Sequence, residues 1–128
     1  MIVDDDRTTT TLLETLLMLD GFEVSQVARG GDVLPRAKRD LPDIFLIDYH
    51  LNDMNGPEVV RALRDDEHFA ESPIVIASGM NVEAEAKAAG ATMFLIKPLD
   101  PSTLAQTLSG LLEPPESPQI TDQIELET

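Results

Sequence analysis

The sequence predicts an α/β domain in which five parallel strands alternate with five helices. Two observations carry that prediction. Short apolar runs rich in Ile, Val and Leu recur along the chain with little polar alternation, as strands covered on both faces do. Between them lie segments whose leucines and alanines recur at helical spacing. Strands that alternate with helices specify a parallel sheet with helices on both faces. A third observation bears on function: the runs end in a carboxylate, a hydroxyl or an amine.

The elements follow in chain order. Ile2-Val3 is the first strand and runs into Asp4-Asp5-Asp6. With only Met1 ahead of it, this strand is expected to be short. A helix over 8–20 carries Leu12, Leu13, Leu16, Leu17 and Leu19 as a one-sided stripe, and Gly21, free to take positive φ, ends it. Residues 22–27 read as the second strand. Gly30-Gly31 opens a short helix through Arg39, with Leu34 and Ala37 turned inward, and Pro42 marks the next turn. Ile44-Phe45-Leu46-Ile47 is a fully apolar strand that stops on Asp48. After a polar loop, Pro57 suits the first turn of a helix running to about Arg64. Residues 65–73 read as a polar loop. Ile74-Val75-Ile76-Ala77 runs into Ser78, and a short Ala/Glu helix over 81–89 ends at Gly90. Phe94-Leu95-Ile96 runs into Lys97-Pro98. Pro101 starts the last helix, through Leu104, Leu108, Leu111 and Leu112, with Asp100 or Ser102 as its cap. Right-handed crossovers leave few topologies for this order. The one adopted as the expectation is flavodoxin-like (βα)5, with strand order 2-1-3-4-5.

Composition bounds the rest. The 128 residues suffice for one domain with a core, and 42% hydrophobic with 26% charged residues is ordinary globular composition. The absence of cysteine excludes disulfides and thiolate metal sites and fits a cytoplasmic location. No apolar run is long enough for a bilayer, and no basic leader opens the chain. A net charge of −15 argues against direct nucleic-acid binding, which rests on Lys and Arg at phosphates. The domain is expected to span 1–112, and 113–128, with its Pro/Glu-rich start, reads as an acidic linker or tail.

In an open parallel sheet the carboxyl ends of the strands line one edge, where ligands bind. Asp4, Asp5 and Asp48 would meet there, on the neighbouring first and third strands. Clustered carboxylates repel one another unless a cation or proton intervenes. Oxygen ligands in small number suit Mg2+ with a phosphate. A carboxylate beside such an ion can attack a phosphoryl group and become an aspartyl phosphate. Lys97 adds a compact positive charge, and the Ser78 hydroxyl can donate to a phosphoryl oxygen. Each residue alone has a plainer role: Asp4-Asp5-Asp6 could cap the first helix, and Ser78-Gly79 could be an ordinary turn. Their joint placement at four strand ends outweighs those separate readings.

Four stretches then match a known family in order: Ile2-Val3-Asp4-Asp5-Asp6, 47–58 from Ile-Asp-Tyr-His to Gly-Pro-Glu, Ala77-Ser78-Gly79, and Ile96-Lys97-Pro98-Leu99. The chain resembles the receiver domain of two-component response regulators, of the chemotaxis-regulator type, over 1–112. The resemblance implies that Asp48 is the phosphoacceptor. It implies that Asp5 and Asp48 bind Mg2+ directly, with Asp4 acting through water and His50 contributing only its backbone carbonyl. It assigns Ser78 and Lys97 to the phosphoryl group and makes Ser78 and Phe94 the switch pair. The implied donor is a sensor histidine kinase or a phosphotransfer protein. The implied reader is an output domain or a downstream protein, and a homodimer is possible. The segment from Ser78 to Gly90 is shorter than the family spacing by about one helical turn, which predicts a stubby fourth helix. Two other readings compete. A haloacid-dehalogenase-like phosphatase would want a second Asp where His50 stands. A pseudo-receiver that only binds partners would not need Asp5, Asp48, Ser78 and Lys97 together.

Overall fold

The computed structural model describes residues 1–113. The expected linker or tail therefore lies, apart from Glu113, outside the described residues. Five parallel strands form one sheet in the order β2-β1-β3-β4-β5. They are β1 (Ile2–Val3), β2 (Gln26–Val27), β3 (Phe45–Asp48), β4 (Ile74–Ser78) and β5 (Met93–Ile96). The helices are α1 (Arg7–Leu19), α2 (Val33–Asp40), α3 (Gly56–Arg64), α4 (Glu83–Ala89) and α5 (Pro101–Leu112). A 3-10 turn, Gly30–Asp32, leads into α2.

The pleat sorts the strand residues into two cores. Val3, Phe45, Ile47, Ile74 and Ile76 face α2, α3 and α4, and meet Val33, Ala37, Val60, Leu63 and Ala86. Ile2, Leu46, Val75 and Ala77 face the other way and meet Leu13 and Leu17 of α1 and Leu104 and Leu108 of α5. Both faces of the sheet are thus covered, which is why its strands lack polar alternation. Each large aliphatic side chain buried here stabilises the fold by about 1.5–3 kcal/mol.

Five details depart from the sequence expectation. The second strand was expected over 22–27 but pairs only at Gln26 and Val27, because β1 offers just Ile2 and Val3 as partners. The first helix begins at Arg7, one residue early. Its stripe is narrower than five leucines: Leu13 and Leu17 are buried, whereas Leu12 and Leu19 point to solvent. Phe69, inside the expected polar loop, is buried edge-on against Phe45 at 5.5 Å. The fourth helix is short, as expected, at seven residues; it begins at Glu83, and the Asn81 side chain accepts from the Glu83 N–H at 3.2 Å. Gly21 and Gly90 take φ of +94° and +112° where their helices stop.

Candidate functional site

The parallel strands deliver their carboxyl ends to one edge. β3 ends on Asp48 and β4 on Ser78, while Asp4 follows β1 and Lys97 follows β5. Asp4 and Asp48 extend the alternation of Ile2 and Leu46 and so emerge over the α1/α5 side of the sheet. Lys97 closes the group: its Nζ lies 2.7 Å from Asp48 Oδ1 and 3.4 Å from Asp4 Oδ2.

The three consecutive aspartates divide the work. Asp6 is the cap of α1 and accepts from the N–H groups of Thr8 and Thr9 at 3.1 and 3.3 Å. Asp4 and Asp5 are left for the site. Carboxylate oxygens of Asp4, Asp5 and Asp48 all lie within 4.8 Å of one another. A small all-oxygen donor set of this kind fits Mg2+, which takes few protein carboxylates and retains water.

Electrostatics mark the cluster as tense. Burial raises the Asp4 carboxyl above the usual carboxylate range, and the charge of Asp48 adds to the rise; the Asp6 N–H and Lys97 counteract only in part. Burial alone would lower the Lys97 amine. The hydrogen bond and charge of Asp48, with those of Asp4, more than reverse this and hold the amine protonated.

The other expected residues fall around this group. Ser78 is 1% exposed, and its Oγ accepts from the Met80 N–H at 3.1 Å. His50 is exposed at a tight bridge with Asn55. Gly56 is required there, since a Cβ would sit 2.7 Å from the Asp48 carbonyl oxygen. Phe94 is half-buried on β5 and packs against the core of the α2–α4 face.

Two contributors were not foreseen. Asp53 accepts from the N–H groups of Gly30 and Gly31, both at 2.8 Å, and so ties the loop after Asp48 to the turn before α2. Tyr49 donates its hydroxyl to Glu85 of α4 at 2.6 Å. Neither pairing leaves a sequence signal, because the partners lie 22 to 36 positions apart.

A family model, the response regulator receiver domain, matches residues 1–109, and the chain belongs to that family. Receiver domains of this family are signalling switches of two-component systems; they interact with histidine kinases and output domains and generally bind Mg2+ at an acidic pocket. The relatives give the match its scale. PilH of Pseudomonas aeruginosa is 31% identical over 115 residues, covering 88% of this chain and 95% of PilH. The regulatory protein RegA of Rhodobacter capsulatus is 35% identical over 136 aligned residues, covering 99% of this chain and 72% of RegA. The response regulator PleD of Caulobacter vibrioides is 37% identical over 103 residues, covering 78% of this chain but 23% of PleD. The chemotaxis response regulator CheY4 of Vibrio cholerae has a solved structure that superposes with a TM-score of 0.81 at 32% identity, covering 87% of this chain and 95% of that one. No helix among the described residues is long and apolar enough to cross a membrane.

Proposed function

We propose that Asp48 accepts a phosphoryl group from a phosphohistidine and that the resulting charge switches partner binding. The observation that carries this reading is the 2.7 Å contact of Lys97 with Asp48 inside a cluster of three carboxylates. Asp48 Oδ forms the new O–P bond as the N–P bond of the donor breaks, and the donor imidazole leaves. Lys97 then exchanges its contact with Asp48 for one with a phosphoryl oxygen. The Ser78 hydroxyl leaves Met80 to donate to another, and Phe94 follows the space Ser78 vacates. Asp5 and Asp48, with the His50 carbonyl, would hold Mg2+ directly and Asp4 through water. When bound, the ion offsets the charge of the carboxylates and of the phosphoryl oxygens.

The donor in this reading is a sensor histidine kinase or a phosphotransfer protein in the cytoplasm. The reader is an output domain or a separate protein, without direct contact to nucleic acid or membrane by this domain; a homodimer is one form the switched state can take. Residues 1–112 constitute the switch and 113–128 a linker or tail. The phosphatase reading is weaker, because His50 stands where a second acid would be needed and its ring packs on Tyr49. Incubation with acetyl phosphate and Mg2+, followed by mass spectrometry, tests the proposal. One phosphoryl group should appear in the wild type, not in Asp48→Asn, and not in the presence of chelator. An unmodified wild-type chain would leave the pseudo-receiver reading standing instead.

A further inference from the structure

Tyr49 stands one residue beyond Asp48, yet its side chain leaves the site. The ring is buried in the core of the α2–α4 face, with the His50 imidazole edge-on at 4.7 Å. Its hydroxyl donates to Glu85 Oε2 in the first turn of α4. Its backbone N–H donates to the Ala77 carbonyl at 2.9 Å, next to Ser78, and its carbonyl accepts from the Gly56 N–H at 2.7 Å. One residue therefore touches the end of β4, the start of α3 and α4.

The far end of the fourth helix is tied to α3, where Arg64 donates to the Gly90 carbonyl at 2.9 Å; its first turn has less to hold it. Seven residues are too few for a helix to persist alone in water. Its buried side chains are two alanines, Ala86 and Ala89, which supply little apolar area. A hydrogen bond to a carboxylate is correspondingly a large part of what fixes the first turn of α4. Ser78 adds the link to the site. Its Oγ accepts from the Met80 N–H, so an Oγ that moves toward a group carried by Asp48 either gives up that bond or draws with it 79–82, the segment that leads into α4.

We propose that Tyr49 is a positioning residue: through Glu85 it holds α4 in the arrangement in which Ser78 is bound by Met80, and so opposes phosphoryl binding at Asp48. The proposal rests on reading Asp48 as the phosphoacceptor. Coupling of this kind is reciprocal. A phosphoryl group weakens the Tyr49–Glu85 bond, and loss of that bond strengthens phosphoryl binding.

The test uses beryllofluoride with Mg2+ as the phosphoryl probe and three variants. Tyr49→Phe keeps the ring and removes the hydroxyl; Glu85→Ala removes the acceptor from the helix side; Glu85→Gln retains an acceptor. The first two should bind beryllofluoride about threefold or more tighter than wild type. Glu85→Gln should stay near wild type, and Tyr49→Phe with Glu85→Ala should be no tighter than either alone. Without the probe, amides over 83–89 should exchange faster in the first two variants. Since Tyr49 is the only tyrosine and the chain has no tryptophan, its emission reports the environment of the bond directly. Beryllofluoride affinity that is unchanged or weaker in Tyr49→Phe and Glu85→Ala overturns the proposal. Unchanged exchange over 83–89 overturns it as well, whatever beryllofluoride does. A wild type that binds no beryllofluoride strikes instead at the role of Asp48.

Discussion

Asp4 is 7% exposed, and its carboxylate shares the sheet edge with Asp5 and Asp48. Its carboxyl is raised above the ordinary range by burial and by the Asp48 charge. A group raised in the folded state adds stability below its unfolded value and loses it as pH rises through its folded value. As pH rises above the unfolded value, Asp4 therefore opposes folding of the metal-free protein. Asp4→Asn keeps the acceptor used by the Asp6 N–H at 2.9 Å and removes the charge. In chelator at pH 7 its melting temperature should exceed that of wild type by a few degrees, and the gap should close near pH 3. Mg2+ titration should show weaker binding in the same variant. At this scale the sequence was legible in kind and ambiguous in detail. Asp4-Asp5-Asp6 offered either a cap or a metal site, and the choice depended on where α1 begins. With its start at Arg7 the cap falls on Asp6, which frees the other two.

The elements show the same split between pattern and contact. Strand existence, order and the short α4 were legible because apolar runs and helical spacing are local properties. The width of the α1 stripe was not, since only the packing of α1 on the sheet decides which leucines are covered. The α2 terminus carries an unannounced feature. Leu41 takes φ of +52° as the residue ending α2 and is 61% exposed, a conformation in which a Cβ is crowded and glycine is not. Leu41→Gly should therefore stabilise the fold by about 0.5–1 kcal/mol despite the greater freedom of glycine in the unfolded chain. Equilibrium urea unfolding checks this, and a destabilised variant would mean that the Leu41 side chain contributes more packing than its exposure suggests.

In the whole molecule, one sheet edge gathers residues from positions 4 to 97, and the parallel topology alone accounts for that. The pattern of strand ends therefore disclosed most of the residues that the structure brings together at that edge before any contact was known. What it could not disclose are the long-range ties that have no period. Arg64 is one, donating to the Gly90 and Phe69 carbonyls at 2.9 Å each; the bond from Tyr49 to Glu85 is another. In the proposed switch such ties are what a charge at Asp48 would have to shift to reach α4, whereas family membership establishes only that receiver domains act as switches. The matches themselves span nearly all of PilH and about a quarter of PleD, so the same domain serves chains of very different length. In the proposed switch, Asp48 with Mg2+ is where the phosphoryl group is held. Amide NMR spectra recorded with Mg2+ as beryllofluoride is added check this at each residue. Saturable shifts should centre on Asp48, Ser78 and Lys97, spread to α4 and vanish in Asp48→Asn. Spectra that do not change, or that change equally in Asp48→Asn, would mean that Asp48 does not hold the phosphoryl group.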